Sequence, residues 1–473
     1  MIEEKANEVA DVKELTGVEA LDVEVDLKKM TRKIDMRLLP LLFITYSIQF
    51  MDKVALSASS VFGIKEDNHL VGQDYSWVSS IFYFGYMGCQ PLAARSIQVA
   101  PPGRLLAITV FLWGIILACS AATHSYAGQL LCRFFLGCTE AFVSPICMHL
   151  SSSFYTETQQ PLRVGIWFSG NDFGGILSSF IAFGLGHIKG HLSPWKYIFI
   201  VYGCLSLVWG LVLFVLLPDS PNSCRFLSLS EKAYFERCRP QSRVDSRWSW
   251  SQFIECMLDL KSWLIVALVV LNILPNGGII SYGYIIIESL GFSNIETTIL
   301  NVPTSVITWI AIVSSGYIST RIPNSRCLVI AGTAILPVIG AVLVYSGQEK
   351  GVKLVGYFFL CVQPSTFPNV LALSTSNFQS SQKRITMAGI IFVFYCGTNI
   401  AAPQLFRSDE YPNYPTAFKT WIICLSLTIL VAVGTRLYLK CENQRKQKRL
   451  DDGETPPEGV ITDKQNLSLR YCY

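Results

Sequence analysis

The sequence predicts an all-α polytopic membrane protein, with twelve transmembrane helices in two six-helix bundles. Three observations predict it. Charged residues make up only 15% of the 473 and hydrophobic ones 51%, whereas a soluble domain carries about 25% charged residues. Apolar stretches long enough to cross a bilayer, roughly 17–25 residues, recur twelve times along the chain. The longest polar gap, 218–261, parts six of these stretches from the other six.

In chain order the expected spans are 38–61, 75–94, 105–122, 127–150, 163–186, 197–217, 263–287, 299–319, 327–346, 352–373, 386–406 and 418–438. The organisation is then a polar tail (1–37), an N-terminal bundle (38–217), a central loop (218–261), a C-terminal bundle (262–438) and a second tail (439–473). The first tail is rich in Glu and Asp and then turns basic at Lys28, Lys29, Arg32, Lys33 and Arg37. It reads as largely disordered, and no cleavable signal peptide is expected. Shifting the first half by 222–224 residues lays span 1 on span 7, span 4 on span 10 and span 5 on span 11. Parallel halves of this kind are a known transporter build.

Lys and Arg in the loops set the orientation. With the N-terminus inside, 25 of the 38 fall on inner flanks. The outer loops hold only Lys65, Lys189, Lys196, Lys350, Lys353, Arg407 and Lys419. Both termini are therefore expected in the cytosol. The sequon Asn466-Leu467-Ser468 then lies inside and is expected to carry no glycan. A net charge of +4 is too small to imply a nucleic-acid partner. The cysteines lie mostly within apolar segments and show no CxxC spacing, so no disulfide or metal chemistry is expected.

Charges inside the spans carry the functional signal, because a charge at the bilayer centre costs about 3 kcal/mol on insertion scales. Span 1 holds Asp52 and Lys53, and span 4 holds Arg133 and Glu140. At a rise of 1.5 Å per residue, all four fall in the middle and outer-middle of a core about 30 Å thick. Arg133 and Glu140, seven residues apart, face nearly the same way. A neutral cluster between spans 1 and 4 is expected. It is either a fixed ion-pair lock or a working site. In a working site Arg133 cannot release its proton and suits an anchor for an anion. Asp52 or Glu140 would carry the proton. Lys53, next to Asp52, points about 100° away from it and could snorkel elsewhere.

Other polar groups are candidates of the same kind. Asn171 and Asp172 sit in Gly170-Asn171-Asp172-Phe173-Gly174-Gly175 of span 5, where the glycines favour close helix packing. Asn276 follows Pro275 in span 7, at a Pro-Asn-Gly-Gly run that would either kink the helix or break it to expose backbone. Asn399 in span 11 would donate to a substrate or bond a neighbouring helix. Tyr282, Tyr284, Gln363 and Tyr395 are weaker candidates. There is no HExxH, GxSxG or GxxxxGK[ST], so no enzyme is expected. A channel would need a filter repeat or a ring of like charges, and the sequence has neither.

In order along residues 35–438, the chain carries Phe50-Met51-Asp52-Lys53, Gly103-Arg104, Arg133-x-x-x-Gly137-x-x-Glu140-Ala141, Arg163-x-x-Ile166-Trp167-Phe168 and Leu217-Pro218-Asp219-Ser220-Pro221. Leu300-Asn301-x-Pro303 and Gly397-x-Asn399 follow. With these it resembles the major facilitator superfamily, and within it the fungal allantoate permease-like group of anion:cation symporters. The resemblance implies the major facilitator fold and alternating access around a cavity lined by spans 1, 4, 7 and 10. It implies a proton-coupling role for Arg133, with Asp52 and Glu140 at acidic positions of the group. It further implies a small organic anion (a carboxylate, ureide or vitamin-like compound) taken up with a proton, no cofactor, and residence in a fungal plasma membrane. A monomer in the lipid bilayer is expected. Two departures stand out: the loop between spans 2 and 3 lacks the superfamily's acid, and so does its counterpart in the second half. Export of a secondary metabolite with the same fold, and a non-transporting nutrient sensor, are the competing readings.

Overall fold

In the computed structural model the described residues are 26–156, 159–188, 190–224, 226–238, 250–378, 380–452 and 469–473. Twelve crossings are formed. Unbroken helices are span 1 (Leu27–Ser60), span 2 (Asp74–Val99), span 3 (Pro102–Ser120), span 6 (Pro194–Leu216), span 7 (Leu260–Ser289), span 8 (Asn294–Arg321), span 9 (Arg326–Ser346), span 11 (Ser381–Ala401) and span 12 (Pro415–Asp451). Three crossings are made of two helices each. They are span 4 (Tyr126–Glu140, Val143–Phe154), span 5 (Gln160–Phe168, Gly170–Gly186) and span 10 (Lys350–Leu360, Thr366–Asn377). Among the described residues, nine crossings are long and apolar enough to be recognised as membrane spans by composition. Spans 2, 5 and 10 are more polar or interrupted, and packing places them in the bundle.

The breaks have visible causes. A proline ring clashes with the carbonyl four residues earlier. Pro145 stands four residues after Ala141, where span 4 breaks, and Pro364 four residues after Leu360, where the first half of span 10 ends. Under the half-to-half shift these two breaks fall within a turn of each other. Span 7, where Pro275-Asn276-Gly277-Gly278 allowed a break or a kink, is continuous through Pro275. Its glycines serve packing instead. The Asn399 side chain closes on Gly277, and the Trp421 ring closes on Gly278.

Span 1 starts earlier than its apolar core suggests. Asp26 Oδ1 accepts the backbone N–H groups of Lys28 and Lys29, each at 3.1 Å, an N-cap. Met30 and Ile34 continue the buried stripe at helical spacing. Residues 27–37, expected as disordered tail, are therefore helix, while 1–25 lie outside the described residues. Within the central loop, Leu229–Cys238 and Trp250–Leu258 are helical. Lys33–Glu231 (2.7 Å) and Lys383–Glu255 (2.8 Å) clip these two helices to spans 1 and 11. Span 12 runs thirteen residues past its expected end, to Asp451. Residues 469–473 then return to the same end of the bundle. The Tyr471 and Cys472 N–H groups donate to Asn443 Oδ1 (2.8 Å) and Asn377 Oδ1 (2.9 Å). The sequon at 466–468 lies outside the described residues.

The missing loop acid is supplied from elsewhere. Asp219, just beyond span 6, accepts the Arg104 N–H at 3.0 Å and pairs with its Nε at 3.3 Å. In the second half Arg326 instead donates to the Ala372 carbonyl at 2.9 Å and to Ser376 Oγ.

The halves meet unevenly. At the end away from the tails, hydrogen bonds join them directly. Tyr75 donates to Ser281 O (2.8 Å), Ser76 to Pro403 O (2.9 Å), Ser80 to Ile400 O (2.7 Å) and Asn294 to Val61 O (2.5 Å). Tyr282 stacks on Phe406 with centroids 4.1 Å apart. Toward the tail end the halves part around a cavity.

Candidate functional site

Two adjoining chambers lie between the halves and share lining residues. A deep one, about 210 Å³, lies under the far-end seal, and a vestibule of about 450 Å³ opens toward the tail end. Lys53, Phe168, Asn171, Phe367 and Tyr395 line both and form the collar between them. Apolar walls with a few convergent polar groups are the general form of a small-molecule site.

Lys53 is the centre of the arrangement. Its Nζ stands 3.9 Å from Glu140 Oε2 and 5.8 Å from the centroid of the Tyr86 ring. The lysine side chain is 23% exposed and the Glu140 side chain fully buried. Lys53 thus has one side toward an acid behind it and the other toward the cavity. Glu140 ends the first helix of span 4, where the chain breaks. Neither of its carboxylate oxygens has a hydrogen-bond partner among the described residues.

The four charges do not form one ring. Asp52 is fully buried and turns toward span 6, where Ser206 Oγ donates to its Oδ2 at 3.2 Å. Arg133 lies with its guanidinium 5.7 Å from the centroid of the Phe199 ring, also on span 6. Its Nε and Nη2 have no hydrogen-bond partner among the described residues. It borders a satellite void of about 20 Å³ that Lys53, Ser57, Tyr83 and Ser281 also line. Lys53, Asp52 and Arg133 are therefore neighbours that point three ways. Adjacent residues on one helix diverge by about 100°, which sends Asp52 away from the cavity and Lys53 into it.

Among the other candidates, Asn171, Asp172 and Asn276 line the deep chamber, and Tyr284 and Tyr395 join them. Asn399 does not. It is 1% exposed, its Nδ2 donates to Tyr395 O at 2.8 Å, and its body packs on Gly277. Gln363 donates to Asn272 O at 2.5 Å and ties the span 10 break to span 7. Tyr282 belongs to the far-end seal. Span 4, which the resemblance set on the cavity wall, reaches only the vestibule and the satellite void. Spans 2 and 4 interlock too closely for more. The Phe82 carbonyl packs on Gly137, and the Phe134 carbonyl packs on Gly85.

Span 8 supplies residues that sequence reasoning missed. Asn301, Thr304 and Thr308 line the deep chamber. Their spacing of three and then four residues is a polar stripe on one helix face, a signal present in the sequence. Thr308 also caps the span 10 break by donating to Cys361 O at 2.7 Å.

The profile of the Major Facilitator Superfamily matches residues 42–403. The chain belongs to the Major Facilitator Superfamily. Superfamily relatives extend nearly end to end. An uncharacterized transporter of Schizosaccharomyces pombe is 31% identical over 458 residues, covering 94% of this chain and 87% of its own length. The allantoate permease of Saccharomyces cerevisiae is 30% identical over 484 residues, covering 96% and 88%. Among solved structures, an inward-facing bacterial homolog of the human lysosomal transporter Spinster superposes with a TM-score of 0.65 at 13% identity. That match covers 84% of this chain and 95% of the other, and it speaks for the fold. The protein is a multi-pass membrane transporter of this superfamily and not an enzyme.

Proposed function

We propose that this transporter moves a small organic anion together with a proton by alternating access. The observation that carries the reading is Lys53, held between a buried carboxylate and the cavity. While Glu140 is ionised it neutralises Lys53. When Glu140 takes a proton, Lys53 is left as an uncompensated cation facing the chamber, and a substrate carboxylate becomes its partner. Proton and anion then load as a unit. Arg133 stays charged throughout and keeps the potential near Asp52 and Glu140 positive. Protonation can drive transport only if it changes which opening is favoured. The seal at one end and the vestibule at the other are the two gates such a change would act on.

We read the Lys and Arg bias as setting the tail end in the cytosol, and on that reading the present conformation is inward-facing. The likeness to the allantoate permease supports an organic anion as cargo, and uptake at the plasma membrane is the direction we favour. The test is uptake of a labelled panel of carboxylates and ureides by expressing cells at pH 5 and pH 7, with and without a protonophore. Accumulation should rise at pH 5 and collapse with the protonophore. Glu140→Gln, which fixes the uncharged state, should still exchange anion for anion but lose accumulation and its pH dependence. Wild-type-like accumulation by that variant would overturn the coupling.

A further inference from the structure

We infer that the tail-end face of spans 7, 10 and 12 is a peptide-binding site, that residues 469–473 of this chain are its occupant, and that the occupied site holds the second helix of span 10 clear of the vestibule.

The contacts are those of peptide recognition. Asn443 of span 12 takes both backbone groups of Tyr471. Its Nδ2 donates to the Tyr471 carbonyl and its Oδ1 accepts the Tyr471 N–H, each at 2.8 Å. Asn377, at the end of span 10, takes both groups of Cys472 in the same way, each at 2.9 Å. The N–H and C=O of one residue lie on one side where the chain is extended, and the next residue then presents the opposite side. The segment is therefore extended between two helices, with Tyr471 paired to span 12 and Cys472 to span 10.

A buried ring anchors it. Lys446 Nζ lies 4.0 Å and Lys261 Nζ 4.4 Å from the centroid of the Tyr471 ring. Tyr471 is 4% exposed, and the two lysines 2% and 1%. An ammonium is drawn to an aromatic face most strongly when both are desolvated, so an aromatic side chain suits position 471 better than an aliphatic one. Lys446 also donates to the Leu469 carbonyl at 3.2 Å, and the Arg436 guanidinium lies 5.1 Å from the centroid of the Tyr473 ring. Main-chain pairs for affinity and a side-chain pocket for specificity are the general form of an extended-peptide site.

Asn377 links this site to the cavity. Span 10 is broken between Leu360 and Thr366, which leaves Thr366–Asn377 as a short lever with Pro364 at its hinge end. Ser374 and Thr375, near the other end, line the vestibule. Lys261 of span 7 donates to the Asn377 carbonyl at 2.7 Å. Residues 471–472 tie the same asparagine to span 12. The end of the lever is thus pinned to its own bundle while 469–473 is in place. Release of the segment removes the tie to span 12 and lets the lever swing toward the first half, which narrows the vestibule.

The experiment follows hydrogen exchange and N-ethylmaleimide alkylation of the purified full chain by mass spectrometry. In the wild type the amides of 469–473 should exchange slowly. Asn443→Ala and Tyr471→Ala should each speed them at least about tenfold, as loss of such bonds predicts. Tyr471→Phe, which keeps the ring, should not. Carried on Thr375→Cys, Tyr471→Ala should slow alkylation at that position about threefold as the lever populates the closed pose. The acetylated peptide Leu-Arg-Tyr-Ser-Tyr, added in trans, should restore the rate. Its serine stands for Cys472, whose bonds to Asn377 are through the backbone. The same peptide with alanine for its first tyrosine should not restore it. Free exchange of 469–473 in the wild type would overturn the site. Alkylation of Thr375→Cys unchanged by Tyr471→Ala, with those amides released, would overturn its hold on the vestibule.

Discussion

The two halves share a fold and a break in the corresponding spans 4 and 10 but carry different chemistry. The first half holds Asp52, Lys53, Arg133, Glu140 and Asp172 within the membrane. The second half faces the deep chamber with Asn276, Asn301, Thr304, Thr308 and Tyr357. Under the half-to-half shift Asn276 stands opposite Asp52 and Tyr357 opposite Arg133. A charge in a low-dielectric site responds to protonation and to another charge over many ångströms. An amide or hydroxyl acts only at contact. The first half is thus suited to sensing charge, and the second to measuring shape and hydrogen bonding.

The largest effect that tests this division is in the first half. Lys53→Met should lower uptake about 100-fold, the ~3 kcal/mol seen when one partner is stripped from a buried charge pair. Its pH dependence should disappear with it. Asn276→Ala in the second half should raise KM about fivefold, near the ~1 kcal/mol of one hydrogen bond, and leave the pH profile where it was. Initial rates across pH 5 to 8 for both variants decide the matter. A pH profile altered equally by both would dissolve the comparison.

A smaller contrast concerns packing. Gly137→Ala would push a methyl group into the Phe82 carbonyl and should cost about 2–3 kcal/mol by overpacking. Gly389→Ala in span 11 has open space around it and should leave the melting temperature within a degree or so, as unstrained surface changes do. Thermal melts of the two in detergent would show whether the first half is the tighter assembly.

The smallest effect lies between spans 1 and 2, at the end of the bundle away from the tails. Asp67 accepts hydrogen bonds from Ser193 Oγ (2.5 Å) and Trp195 Nε1 (2.7 Å). These hold its carboxyl below the usual carboxylate range. Because the folded value is depressed, the contribution is present above the unfolded carboxylate range. It fades as pH falls through the folded value. Asp67→Asn should therefore lower the melting temperature slightly at pH 7, and the difference should shrink as pH falls below the usual carboxylate range.

Much of this was legible along the chain. Twelve apolar segments, the split at 218–261 and the buried charges are local properties, because a bilayer demands length and hydrophobicity from each span separately. The breaks at Pro145 and Pro364 were not legible in the same way, because Pro40, Pro91, Pro275, Pro303 and Pro337 sit inside continuous helices. Sequence alone also placed Asp52, Lys53, Arg133 and Glu140 at one depth. It did not tell which way each one points. Depth follows from counting residues, but facing depends on how helices rotate against one another, and that is decided by distant pairs such as Gly137 with Phe82 and Gly277 with Asn399. Tertiary structure alone turned Asp52 to Ser206, Arg133 to Phe199 and Lys53 to the cavity. It also brought Asp219 to Arg104 across 115 residues, and set Asp172 and Lys53, from spans 5 and 1, in the wall of one chamber.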